Sequence, residues 1–267
     1  MPDIASSPLD ISHAPPDVRV LSVADLKDAL ARGVDDFRAN PTHVIFLVLV
    51  YPFAGLLIAR MTADANLMPL FYPMAAGFAL LGPLAALGLY ETSRRRETGR
   101  EPHWRDALGV LKSPAIWSIA AMGGVLAGIF VAWLFAARWL AGAMIGDVMD
   151  DPAAMASYGD FLHAIVASPA GWALFAASNF VGLLFAIAAF SISVVSFPLM
   201  LDRHTGYAAA MATSLRAVAK NPMVLGLWGL FIALALALGT LPFFIGLALV
   251  IPVLGHASWH LYRKVVV

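Results

Sequence analysis

The chain has 267 residues; 61% are hydrophobic, only 13% are charged, the formal net charge is zero and the mean hydropathy is +0.81. Soluble domains carry roughly 25% charged residues, so this composition points to a membrane protein, and a zero net charge excludes a bulk attraction to nucleic acid. No cysteine is present, which removes disulfides, thiolate metal sites and cysteine nucleophiles.

Residues 1–18 hold Pro, Ser and Asp, with no basic start and no apolar run. They read as a disordered tail rather than a signal peptide. Residues 19–267 read as one membrane domain. Ser22 is a candidate N-cap, and Val23, Leu26, Leu30, Val34 and Phe37 follow at steps of three and four. The spacing predicts an amphipathic helix over 22–38, ending at Asn40-Pro41. A spanning helix needs about 20 apolar residues. The runs at 43–61 and 67–90 are the first two candidates. The second contains Pro83 and is followed by Arg94, Arg95 and Arg96.

Trp104, Leu108 and Leu111 predict a second amphipathic helix over 103–112, ending at Ser113-Pro114. A third span follows at 115–138, with Gly124 and Gly128 as a small-residue pair read as a packing face. The next loop carries Asp147, Asp150, Asp151 and Asp160. The fourth span, 171–201, is the most polar, with Ser178, Asn179, Ser191, Ser193 and Ser196; these read as partners for hydrogen bonds between helices. It also contains Pro198. Tyr207, Met211, Leu215 and Val218 predict a third amphipathic helix over 206–220, ending at Asn221-Pro222. From Asn221 to Tyr262 there is no Asp, Glu, Lys or Arg. That is too long for one span, and Gly239 to Pro242 supplies a turn, giving spans at 223–239 and 242–262. The last contains Pro252.

Fifteen of the 17 Lys and Arg fall on one side of this six-helix layout. Four precede the first span, six follow the second, three follow the fourth and two follow the sixth. The bias predicts cytoplasmic N- and C-termini. The sequence also reads as a unit used three times: an amphipathic surface helix, a proline corner and a membrane hairpin. Pro41, Pro114 and Pro222 are the corners, because proline cannot continue the preceding hydrogen-bond pattern. Pro83, Pro198 and Pro252 are expected kinks in the second helix of each unit. Arg94, Arg95 and Arg96 are expected to anchor on anionic lipid.

The stretch "SFPLMLDRHTGYAAAMATSLRAVAKNPMVLGLWGL" with "PVLGHASWHLYRK" resembles the DUF2189 family of bacterial integral membrane proteins. "DLKDALARGVDDFRANP" and "GFALLGPLAALGLYETSRRRE" are similar to its N-terminal half. The resemblance implies a multi-spanning protein of the bacterial inner membrane without an established activity. Some members carry a label relating them to cytochrome c oxidase, which implies a respiratory complex as a class of partner.

His256 and His260 stand four apart on one helix face. Such spacing can hold a metal or a haem edge. It also suits a pair of anchors at the membrane surface, beside Trp259 and Arg263. No ionisable group falls in mid-span, and no nucleotide, hydrolase or metalloprotease motif occurs. The expectation is therefore an all-α protein, not an enzyme, with no cofactor. Its expected role is accessory or assembly work through contacts with the bilayer and other membrane proteins; the alternative is a small transporter or channel for a weakly polar solute.

Overall fold

In the computed structural model the described residues are 16–40, 55–56, 59–60, 68–100, 109–241 and 246–267. Every regular element among them is helical, and one isolated antiparallel bridge joins Val18 to Val266. The Pro41 corner and most of the 43–61 span and of the 103–112 stretch lie outside the described residues.

Helix α1, Val23–Ala39, starts on a capping box: the Ser22 hydroxyl accepts from Asp25 N, and the Asp25 carboxylate accepts from Ser22 N. It ends at Asn40, whose N–H reaches the Asp36 and Phe37 carbonyls. After α2, Phe71–Phe78, come a 3₁₀ turn over Ala79–Leu81 and one helical turn over Gly82–Ala85. Helix α3 is Leu87–Glu97. The irregularity has a cause. The Pro83 ring crowds the carbonyl of residue 79, and the tighter turn begins there. The 67–90 run, expected as one span kinked at Pro83, is thus broken into short helical pieces, and its last turns are enclosed by protein: Leu87, Leu89 and Tyr90 belong to the core.

Gly109–Lys112 forms a 3₁₀ turn before Pro114. Helix α4, Ile116–Met144, has 29 residues and is about 43 Å long. Helices α5, Tyr158–Val166, and α6, Pro169–Ser193, follow, each capped by a serine hydroxyl, Ser157 and Ser168. Helix α7 is Ser196–Arg203. The break between α6 and α7 falls at Val194 and Val195, four residues before Pro198. Helix α8 is Tyr207–Lys220 and helix α9 is Pro222–Thr240; Asn221 between them leaves helical geometry, at φ −130° and ψ 48°. Helix α10, Leu247–Val265, carries Pro252 within it and continues unbroken.

Two cores mark the two ends of the bundle. The larger joins Leu89 and Tyr90 of α3, Ile119 and Met122 of α4, all of α7 from Phe197 to Leu201 except Pro198, Ala217 of α8, and Trp259 and Tyr262 of α10. The smaller joins Met68, Ala141, Ile145 and Phe161. Helix α4 runs from one to the other.

Among the described residues three stretches are long and apolar enough to cross a bilayer: Ile116–Met144, Pro169–Arg203 and Pro222–Thr240. This corrects the expectation of six such helices. The 67–90 run is interrupted, and the second half of the 242–262 run is buried against protein, not lipid: His256, Trp259, Leu261 and Tyr262 are enclosed. An uncharged run reports the absence of charge, and a helix packed among acidic partners satisfies that as well as a lipid-facing one does.

Candidate functional site

The polar groups of the larger core converge on Asp36. This carboxylate is buried on α1, in line with Ala29 and Gly33, and these three are the buried residues of that helix. The small residues allow a close crossing. A Cβ at Gly33 would lie 2.6 Å from Ala257 N, so only glycine lets α1 approach the α10 backbone this closely. The crossing brings Asp36 against α10 and α3. Its Oδ2 accepts from Ser93 Oγ at 2.5 Å and from His260 Nε2 at 2.8 Å, and its Oδ1 accepts from Arg96 at 2.6 Å.

The hydrogen positions follow from counting. Ser93 has one hydroxyl hydrogen and gives it to the carboxylate. Its oxygen lies 2.7 Å from His256 Nδ1, so that nitrogen carries the hydrogen and donates to Ser93. His256 is fully buried and Ser93 nearly so. Burial opposes the charge on Asp36; the hydrogen bonds from His260 and Ser93 and the histidine charges outweigh it and hold the carboxyl below the usual carboxylate range.

A second set of acids surrounds the same end of α10. Glu97 accepts from Trp259 Nε1 and pairs with Arg263, each at 3.3 Å. Asp202 accepts from Tyr262 at 2.7 Å and from Arg263 at 3.2 Å. Lys264 reaches Asp28 at 2.9 Å and Asp25 at 3.4 Å. The acids come from α1, α3 and α7, so α10 is the hub of this end.

His256 and His260, expected at a lipid surface or a metal, are thus enclosed in the protein around a carboxylate. Among the described residues no group of three or more His, Cys, Asp or Glu is set to hold a metal ion. The acceptors of Asp36 already serve Ser93, His260 and the Arg96 cation. Arg94, Arg95 and Arg96, expected on lipid, turn to carboxylates. Arg94 and Arg95 bond Glu91 at 2.8 and 2.7 Å, and Arg96 bonds Asp36. Burial opposes the Glu91 charge, and the bonds from Arg94 and Arg95 outweigh it and lower its pKa.

The prolines mark two further polar joints. The α6–α7 break leaves a carbonyl and an N–H without their helical bond, and Ser214 of α8 fills the gap. Its hydroxyl donates to Ser191 O at 2.8 Å and accepts from Val195 N at 3.3 Å. At the Pro222 corner, the Asn221 side chain accepts from Leu21 N at 2.6 Å and donates to Arg19 O at 3.1 Å. It fastens the start of α1 to the start of α9. Asn179 accepts from Tyr72 at 2.8 Å, a bond between α6 and α2 of the kind expected for this helix.

The sequence reading missed Asp36, Ser93 and Asn221 as a set. Asp36 left one trace: an acid that continues the small-residue line of Ala29 and Gly33.

Residues 71–202 match the family model described as a predicted integral membrane protein, DUF2189. That stretch is similar to the family whose resemblance the sequence carries. No curated protein and no solved structure matches the chain. The matched stretch runs from the start of α2 to Asp202 in α7, and so supplies Ser93, Arg96, Glu97 and Asp202. Asp36, His256 and His260 join the cluster from outside it.

Proposed function

We propose that this chain is an integral protein of the bacterial inner membrane with both termini in the cytoplasm, and that it acts as an accessory or assembly protein, not as an enzyme. One observation carries the reading. The ionisable side chains of the described cluster are bonded to one another at one end of the bundle, whereas the spans present Trp117, Phe135, Trp139, Leu230 and Leu234 outward. Such a molecule offers surfaces rather than a reactive group. Repeated passes between the two ends draw support from the order in which the chain visits the two cores: α1 at the larger, Met68 at the smaller, α3 at the larger, Ala141 and Phe161 at the smaller, and α7 at the larger. The basic bias of the sequence supports a cytoplasmic position for the larger core. Membrane proteins such as a respiratory complex are the partner class, and no cofactor is part of the proposal.

The broken helix around Pro83 favours the second reading, a small transporter, because interrupted helices line solute paths. Gentle affinity purification with mass spectrometry and a visible spectrum separates the two. A stoichiometric membrane partner supports the accessory role. Purified protein that carries a solute across vesicles unaided supports transport. A Soret band that disappears in the His256→Ala, His260→Ala variant overturns both.

A further inference from the structure

Helix α1 has two unlike flanks on either side of the Ala29–Gly33–Asp36 line. At about 100° per residue, one flank carries Asp25, Asp28 and Arg32; Arg32 bonds Asp28, and both carboxylates bond Lys264. The opposite flank carries Leu26, Phe37, Leu30, Val23 and Val34 in turn. Lys27 and Arg38 border it. The larger core takes up Leu26 and Leu30 in part, and Val23 is about half exposed. The α1 axis is tied near the bilayer surface at its start, where Asn221 of the α8–α9 corner holds Leu21. At its other end Asn40 precedes Pro41.

We infer that this apolar flank, with Lys27 and Arg38 at its rim, is seated on the bilayer and that the two cations bind anionic lipid headgroups. An apolar flank edged by cations whose stems run along it is how a helix lies in a membrane interface. The opposite flank is acidic and bonded to α10, so only one orientation puts cations on lipid and carboxylates away from it. The arginines nearest the membrane by sequence, Arg94 to Arg96, are committed to Glu91 and Asp36. The lipid contact therefore passes from α3 to α1. The inference rests on the proposed membrane placement and adds the surface and its ligand.

The test uses the full chain in nanodiscs of phosphatidylcholine, with or without phosphatidylglycerol. Single cysteines, each carrying a fluorophore, are placed at Val34, at Asp28 and, as a control in α4, at Phe135. Spin-labelled lipid quenches a probe that touches the bilayer. The expected result is quenching at 34 and 135 and little at 28. Native mass spectrometry is expected to show retained phosphatidylglycerol, falling roughly 25-fold in Lys27→Gln with Arg38→Gln, since each cation near an anionic surface contributes about a factor of five. Quenching at 28 equal to that at 34 overturns the orientation. Quenching at 34 with lipid retention unchanged in the double variant overturns the headgroup contact. Loss of quenching at 135 as well removes the membrane placement, whereas quenching at 135 without 34 removes this inference alone.

Discussion

The crossing of α1 with α10 and the outward faces of α4, α6 and α9 are held in place by different forces. At the crossing the buried residues of α1 are an alanine, a glycine and a carboxylate, with little apolar area to bury. What holds it is a set of polar bonds around Asp36, short and enclosed. On the spans the exposed residues are large and apolar, among them Trp117, Phe135, Phe180, Leu234 and Leu238. Lipid tails are as apolar as these side chains, so the hydrophobic effect gives the spans their membrane placement but little preference for one another. The contrast explains why one end of the molecule concentrates its ionisable side chains. That end is where the helices are told which neighbour to take.

Removing the carboxylate attacks this contrast most directly. Asp36→Ala leaves Ser93, His260 and Arg96 without their acceptor in a buried site, at a cost of about 3–5 kcal/mol. Thermal unfolding in detergent measures it, and proteolysis within α1 is expected to become faster. Acid does the same gradually. Asp36, Glu91, Asp25 and Asp28 all have lowered pKa values in the fold. Their contribution is complete above the usual carboxylate range and is lost as pH falls through the depressed values, so stability is expected to hold to about pH 4 and decline below it. A decline beginning near neutrality contradicts this.

Gly33→Leu is expected to cost about 1–3 kcal/mol or more, because the new side chain meets the α10 backbone rather than a movable group. Ser214→Ala comes next, at about 1–3 kcal/mol, since Val195 N and Ser191 O lose their shared partner in a buried break. The double change of Pro198→Ala with Ser214→Ala sharpens the point: if α6 and α7 can then join as one helix, the second substitution costs less than it does alone. Leu234→Ala, on the lipid-facing side of α9, is expected to change stability by about 0.5 kcal/mol or less. A cost of several kcal/mol there would mean that this face is covered by protein.

Much of this division could be read from the sequence, and the reason for the rest is physical. The apolar runs at 115–138, 171–201 and 223–239 became α4, α6 with α7, and α9, because length and lack of charge are what a bilayer demands. Pro83 and Pro198 signalled breaks because their effect is local, four residues back along the same chain. His256 and His260 stood out as a pair, but their partners did not. Ser93 is 163 residues from His256, and Asp36 is 224 from His260. No periodicity in one helix reports a contact across that distance. The 242–262 run misled for a related reason. Its charges are absent because its neighbours carry them: Asp36, Glu97 and Asp202 supply to α10 what lipid would have made unnecessary. Asn221 was legible as a corner and not as a clamp, since the groups it holds, Arg19 and Leu21, lie at the other end of the chain.

The central claim is that the larger core, with its charge, faces the cytoplasm while the α4–α6 connection lies outside. Site-directed labelling tests it, because the chain has no cysteine of its own. Ala153→Cys, exposed between α4 and α5, and Arg100→Cys, exposed after α3, report the two ends. An impermeant thiol reagent added to cells with a permeable outer membrane and an intact inner one is expected to label position 153 and to reach position 100 only after lysis. Labelling of 100 and not 153 in such cells contradicts the orientation, and equal labelling of both contradicts the claim that the two cores lie on opposite sides of a membrane.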